Sequence, residues 1–351
     1  MTIDIVFSPT GGGHRSASLA LAQAIRDRSP TTEVTVRDVL AFAPRAFRYD
    51  RLWHATQQHG GRIYDWLFDV MDRPPPWFLA IRERLNRALL AALVADLEAR
   101  QPDHVVCTHY LPAIAAAWMR STGRLRGSLS VVITDYLAHA AWLLPGVDRY
   151  FVASPAVADE LAARGIREVV VSGIPIAPAM DDRITAPDTR RVLLLASGVP
   201  WPLVRTALRS IPRTTPLDLV AGGDPTLRAR LADEGRGPVH GFVPGLRALI
   251  DRAGIVVTKA GGLITTECLA RGRAMVLPWP APGHERGNRA HVVAAGAARA
   301  LADPAHTGAA IASLPYVVMG QAAARAAQRG AADRIARVLV GAAERRQVGG
   351  A

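Results

Sequence analysis

At 351 residues the chain is long enough for two domains, each able to bury a core of its own. Half of its residues are hydrophobic, yet no apolar run reaches the length of a bilayer span, so a transmembrane helix is excluded. The net charge of +12 calls for an anionic partner. Finger spacings and RNP-like aromatics are absent, so an anionic membrane face suits it better than nucleic acid. A high-GC genome that writes Arg freely explains part of the excess.

The opening MTIDIVFSPT has neither a basic n-region nor an apolar signal core, so a cytoplasmic location is expected. Ile3 to Ser8 reads as a buried strand. It runs into Pro9-Thr10-Gly11-Gly12-Gly13-His14, and Arg15 to Arg28 reads as a helix with an apolar side. Strand, glycine loop and helix N-terminus in succession form a Rossmann-like unit without GxGxxG. His14, at the positive end of that helix, either stays neutral and accepts a proton or merely caps the helix.

Glu33 to Val39 is a second strand. Phe42 to Arg87 then stands apart, with nine of the chain's 20 aromatic residues and eight arginines against five acidic residues. Rings and cations mixed on helices suit a membrane interface, and an inward-packed helical insertion explains some of the same residues. Pro74-Pro75-Pro76 breaks those helices. A helix from Phe78 to Ala99 leads to a strand at His104–Thr108 and another at Ser130–Thr134. Asp135 follows, where it could act as a base, orient one, or cap a helix. Cys107 and Cys268 sit in apolar surroundings as free thiols, and two cysteines cannot build a zinc site.

Residues 177–190 read as a linker by their Pro and polar content. Strands follow at Arg191–Ala196, Leu217–Ala221, Val239–His240, Ile255–Thr258 and Ala274–Leu277. The segment Gly254 to Gly296 carries the densest signal. A strand leads to Lys259-Ala260-Gly261-Gly262, then a helix from Leu263 to Ala270 with Thr265, Thr266 and Glu267 in its first turns. Such a helix N-terminus favours a phosphate or diphosphate, and the glycines let backbone approach it. A carboxylate just inside the helix suits ribose hydroxyls. The next loop brings His284, Glu285, Arg286 and Asn288, a set that suits sugar hydroxyls. An ordinary βαβ turn is the plain alternative. Lys259 is the only lysine in the chain.

These motifs resemble the GT-B glycosyltransferases of family 28, above all the monogalactosyldiacylglycerol synthases and processive diacylglycerol glucosyltransferases. The family's Lys-Pro-Gly-Gly, Thr/Ser pair, Glu and Pro-Gly-Gln-Glu-x-Gly-Asn correspond to Lys259-Ala-Gly-Gly, Thr265-Thr266-Glu267 and Pro282-Gly283-His284-Glu285-Arg286-Gly287-Asn288. Gly12-Gly13-His14, Asp103 with His109, Thr134-Asp135-Tyr136 through Tyr150, and Ser172-Gly173-Ile174-Pro175-Ile176 match as well.

The resemblance implies an α/β fold of two Rossmann-like domains facing a central cleft. Residues 1–176 would be the acceptor and membrane-facing domain, with a helical insertion over about 42–99. Residues 191–320 would bind the nucleotide-sugar, and 321–351, read as a helix over Gln321–Arg346, would return to the first domain. The implied reaction is an inverting transfer from a UDP-sugar to a lipid hydroxyl such as diacylglycerol at the inner membrane face. His14 or Asp135 would be the base. Gly12 and Gly13 would line the donor, Phe242 and Val243 the base of the nucleotide, and Lys259, Gly261, Gly262, Thr265 and Thr266 the diphosphate. Glu267 would hold ribose, and His284, Glu285 and Asn288 the sugar. Without an Asp-x-Asp triplet, neither a metal nor another cofactor is expected.

Three departures bear on the donor. Ala177 replaces a family Arg, Ala196-Ser197-Gly198-Val199-Pro200-Trp201 replaces a Gly-rich loop, and His284 with Arg286 replaces Gln and an acidic residue. Arg286 and Arg191 are the candidates to restore the lost charge. The alternatives are an epimerase or transferase of the same fold with a polyprenyl-linked or soluble acceptor, and a non-catalytic nucleotide-sugar-binding protein.

Overall fold

The computed structural model describes residues 1–9, 12–44, 61–182 and 189–349. The chain divides into two compact units, unit 1 of residues 1–178 with 328–351, and unit 2 of residues 179–327.

Unit 1 is built on six parallel strands: β1 (Thr2–Phe7), β2 (Glu33–Asp38), β3 (His104–Cys107), β4 (Ser128–Val132), β5 (Arg149–Val152) and β6 (Val169–Val171). Their spatial order is β2-β1-β3-β4-β5-β6. The central strands are continuous apolar runs because helices cover both faces, and successive residues point to opposite sides. Ile3, Ile5, Val106, Val132 and Phe151 pack on helix α1 (Gly13–Arg28) and on the last helix, Ala331–Gly349. The alternate positions, such as Val105, Cys107, Val131 and Tyr150, join a core with Leu93, Ile114 and Leu161. Those three come from α4 (Ala91–Arg100), α5 (Tyr110–Ser121) and α6 (Pro155–Ala163), which follow α2 (Gly61–Met71) and α3 (Pro76–Leu89).

Unit 2 repeats the plan with β7 (Val192–Leu195), β8 (Leu217–Val220), β9 (Val239–His240), β10 (Ile255–Val257), β11 (Ala274–Leu277) and β12 (Ala298–Ala300), in the order β12-β11-β10-β7-β8-β9. Its helices are α7 (Trp201–Ser210), α8 (Pro225–Asp233), α9 (Arg247–Arg252), α10 (Gly262–Ala270), α11 (Glu285–Ala294), α12 (Thr307–Ser313) and α13 (Tyr316–Ala326). Val192, Leu194, Leu219, Val257 and Val276 bury one face of the sheet against Val204, Leu208 and Ile311.

Several elements differ from the sequence reading. β5, β6 and β12, three or four residues long, were not read as strands. The helix expected over Phe78–Ala99 is interrupted at Leu90, whose backbone (φ −105°, ψ 25°) leaves the helical region, so α3 and α4 are separate. The helix expected over Gln321–Arg346 is two, α13 and the last helix, with Gly330 at φ +67° between them. β4 ends at Val132, so Asp135 lies in the following turn and not at the strand's end.

The last helix is tied to unit 1 through Arg334, whose Nε and Nη2 donate to the Ser172 carbonyl at 3.1 and 2.8 Å. Gly173 beside it has φ +83°, and a Cβ there would stand 2.8 Å from Gln328 Cβ and 2.9 Å from its carbonyl oxygen. Left-handed strain and backbone overlap add, so Gly173→Ala is expected to cost at least about 2 kcal/mol in a denaturant titration. A variant as stable as the parent would show that this contact is not fixed.

Candidate functional site

In an open parallel sheet, ligands bind beyond the carboxyl ends of the strands where the strand order reverses. In unit 1 that point lies between β1 and β3, and in unit 2 between β7 and β10. The loops at these two points carry most of the residues singled out by sequence.

In unit 1, Gly12 takes φ +74° at the N-terminus of α1 and leaves His14 in the first turn. The imidazole Nδ1 lies 2.7 Å from the Thr108 carbonyl, in the loop after β3, and 3.0 Å from the Thr134 hydroxyl. A carbonyl can only accept, so Nδ1 carries a proton, and in the neutral ring Nε2 is the nitrogen with the lone pair. Thr108 is itself fixed, its hydroxyl 2.9 Å from Ser18 Oγ. His109 packs edge-on to His14 at 4.6 Å between centroids, and its Nδ1 accepts the Leu111 N–H at 3.0 Å, capping α5. Asp135 is buried, one residue from the Thr134 that touches His14. Thr108, Thr134 and His109 therefore orient the histidine. Sequence reading gave none of them that role, although Thr108 and Thr134 are recognisable as hydroxyls just past strand ends beside the switch point.

The helical part of unit 1 is clasped at the end of α2. Phe68 offers its carbonyl to His139 Nε2 at 2.8 Å, and Asp72 receives both Arg164 Nη1 and Nη2, at 3.0 and 2.7 Å. His139 Nδ1 accepts the Ala141 N–H at 3.0 Å, so the ring is satisfied as the neutral form. Accordingly, burial lowers its pKa. Among the described residues, the large exposed apolar side chains of unit 1 gather on the two helices next to this clasp. They are Trp66 and Val70 on α2 and Trp77, Leu79, Ile81 and Leu85 on α3, with Leu19 standing apart on α1. Trp77, Ile81 and Leu85 follow at helical spacing and form one stripe. Phe47, Tyr49, Trp53 and the arginines from Arg45 to Arg51 lie outside the described residues.

In unit 2 the switch-point loops are 196–200 and 258–262. Lys259 emerges after β10, and its Nζ is 3.0 Å from Glu285 Oε1. The Lys side chain is 29% exposed and the Glu side chain 5%. Gly198, at φ +73°, approaches the same ammonium: a Cβ there would be 3.8 Å from Lys259 Nζ. Gly261 and Gly262 open α10, which has no side-chain cap, so its first N–H groups and positive dipole end have no carboxylate or hydroxyl of the helix's own over them. Asn288 is fully buried, and its Nδ2 donates to the Ala260 carbonyl at 3.0 Å, binding the start of α11 to the glycine turn.

Three expectations change here. The Thr265 and Thr266 hydroxyls donate back to the carbonyls of Gly261 and Gly262 at 2.8 to 3.0 Å, and both residues are buried. They shape the helix N-terminus and do not present hydroxyls to a ligand. Asn288 clamps the turn in place of holding a sugar. Arg191 precedes β7 at the opposite edge of the sheet, where it meets Asp218 at 3.3 Å, so it is not a substitute diphosphate cation. Arg286 is exposed in the first turn of α11, its Nε 3.3 Å from the Gly283 carbonyl. Phe242, 73% exposed in the loop after β9, offers an uncovered ring, with Val243 half-buried beside it. His284 is half-buried, directly before Glu285.

Glu267 lies half-buried on α10, and burial pushes its carboxyl up to about 7 from the ordinary 4.5. Between those values the folded chain keeps a proton that the unfolded chain has lost, so stability falls as pH rises through this window. Glu267→Gln removes the penalty. The variant should match the parent below pH 4.5 and exceed it by on the order of 2 kcal/mol at pH 8. A pH-independent difference would contradict this burial.

The family profile described as monogalactosyldiacylglycerol (MGDG) synthase matches residues 14–176, from His14 through the turn after β6. The processive diacylglycerol beta-glucosyltransferase of Bacillus subtilis is 27% identical over 212 residues, covering 55% of this chain and 55% of that protein. The probable monogalactosyldiacylglycerol synthase 2, chloroplastic, of Oryza sativa subsp. japonica is 27% identical over 342 residues, 86% of this chain and 70% of that protein. The match thus spans little more than half the length of the bacterial relatives. Among solved structures, the spinosyn rhamnosyltransferase SpnG complexed with thymidine diphosphate superposes with a TM-score of 0.64 at 14% identity, over 98% of this chain and all of that one. In sequence the chain is similar to the monogalactosyldiacylglycerol synthases and processive diacylglycerol glucosyltransferases, and its fold is that of the GT-B glycosyltransferases.

Proposed function

We infer that the chain is a glycosyltransferase that moves a sugar from a nucleoside diphosphate, UDP, to a lipid hydroxyl such as that of diacylglycerol, with inversion at the anomeric carbon. One observation carries this reading. At the switch point of unit 2, an uncapped helix N-terminus, a half-exposed lysine and a buried carboxylate lie within one βαβ unit. The first two suit a diphosphate and the third suits sugar hydroxyls.

In this reading unit 2 holds the donor. The diphosphate sits on the N–H groups of Gly261 and Gly262 beside Lys259, which stabilise the charge that grows as the sugar–phosphate bond breaks. Dipole and ammonium meet that charge, so no metal is assigned a role. Ribose hydroxyls donate to Glu267, and the base lies against Phe242. Unit 1 supplies His14, whose Nε2 takes the acceptor's proton as its oxygen attacks the anomeric carbon from the side opposite UDP. Thr108 holds the tautomer that makes this possible.

The acceptor class rests on the exposed stripe of α2 and α3 together with the names of the relatives. Trp66, Trp77 and Leu85 stand out from α2 and α3, where α3 also carries Arg84 and Arg87 and Arg73 lies in the turn between them, a mix suited to an anionic bilayer surface. No helix among the described residues is long and apolar enough to cross a membrane, so contact through this face would be peripheral. We place it at the cytoplasmic side.

Two outcomes follow. His14→Ala is expected to lower kcat by about 100-fold to 10,000-fold while the dissociation constant of UDP-glucose or UDP-galactose stays within about twofold. An active variant would remove His14 from the mechanism. Trp77→Ser with Leu85→Ser, both exposed, is expected to fold normally and to float far less with phosphatidylglycerol vesicles. Flotation equal to the parent would move the membrane contact elsewhere.

A further inference from the structure

We propose that the Lys259–Glu285 pair is a discriminating device by which unit 2 accepts a nucleoside diphosphate that still bears its sugar and rejects the free diphosphate. The proposal rests on the donor-site reading given above and deepens it.

The pair is unusual in its exposure. Glu285 is 5% exposed and Lys259 29%, so the carboxylate is the buried member and the ammonium its solvent-side cover. The carboxylate also begins α11, whose dipole favours the charge. Its sequence neighbours are the half-buried His284 and the exposed Arg286. Lys259 in turn directly precedes the turn that opens α10, and Gly198 leaves the space beside its ammonium without a side chain. One cation therefore serves two anions, the resident carboxylate and any phosphate that settles on the helix N-terminus.

A free nucleoside diphosphate ends in a phosphate with one more negative charge than the same diphosphate esterified to a sugar. Placed beside Lys259, that extra charge competes with Glu285 for the ammonium and repels the carboxylate. A buried carboxylate that loses its cation is left uncompensated, which is costly. With the sugar attached, that extra charge is gone, and hydroxyls reach the carboxylate as hydrogen-bond donors. Glu285 thus acts twice, as an attractive contact to the donor and as a repulsive element against the product, the combination that yields specificity. Release of the spent diphosphate follows from the same repulsion.

The test is calorimetric titration of the full chain with UDP, UDP-glucose and UDP-galactose. Glu285→Gln should bind UDP about threefold tighter or more, and bind the preferred UDP-hexose about tenfold weaker, so that the two affinities move in opposite directions. Glu285→Asp, which keeps the charge, should keep UDP weak. Equal losses for UDP and UDP-hexose would mean that the pair is only a structural staple, which overturns the proposal. A folded parent that binds none of the three would overturn the donor-site reading itself. A second measurement needs no substitution. Lys259, the single lysine, can be reductively ¹³C-methylated, and its side-chain resonance should be displaced clearly further by UDP than by UDP-hexose. Equal displacement by both would also overturn the proposal.

Discussion

With every crossover right-handed, an open sheet of parallel strands puts helices on both of its faces only by growing first to one side of its starting strand and then to the other. At the reversal two neighbouring strands send their loops apart, and a crevice opens between them at the carboxyl edge. Everything chemical in this chain depends on that constraint. In unit 1 the reversal separates the loops after β1 and β3, and His14 crosses between them to reach Thr108. In unit 2 it separates the loops after β7 and β10, where Gly198 and Lys259 approach each other. The same topology, used twice, yields a site for a proton and a site for an anion.

The two sites are tuned by different means. Unit 1 relies on hydrogen-bond direction. A backbone carbonyl dictates which imidazole nitrogen carries hydrogen, and that carbonyl is held by the packing of β3. Unit 2 relies on charge in a half-dry setting. Its glycine turn exposes helix N–H groups, Asn288 fastens the turn to α11, and Lys259 is held between a buried carboxylate and open space. Glu267, half-buried on the same helix, has its carboxyl raised by desolvation, at a cost in stability that a ligand's hydroxyls would offset.

Much of this was legible in the sequence because glycine turns and unbroken apolar strands are local signals. The strands next to the loops were read to within a residue or two, and His14, Lys259, Glu267 and Glu285 were each found at a loop or helix start. What was not legible depends on distance through space. Thr108 lies 94 residues from His14, and nothing near either residue announces the bond between them. The Lys259–Glu285 pair is likewise invisible without the fold, since each residue alone suits a ligand. Thr265 and Thr266 misled because a hydroxyl in a first helical turn can serve a phosphate or its own backbone, and here burial and the bonds to the Gly261 and Gly262 carbonyls decide for the backbone. Arg191 misled because it was weighed by its charge alone, although the start of a parallel strand lies at the amino edge, away from the ligand loops. β6 and β12, three residues each, were missed, although β9 and β10, no longer, were read.

The central claim is sugar transfer to a lipid hydroxyl with inversion, and it is tested most directly by product analysis. The full chain would be incubated with UDP-glucose or UDP-galactose and vesicles of diacylglycerol in phosphatidylglycerol, and the extracted lipid examined by proton NMR. The account predicts a β-linked glycosyl diacylglycerol formed in step with UDP, from donors that are α-linked. An α-linked product would contradict direct displacement by a base-activated hydroxyl. Intact donor and unchanged lipid, with the same chain binding UDP-hexose, would contradict the assignment of a lipid acceptor.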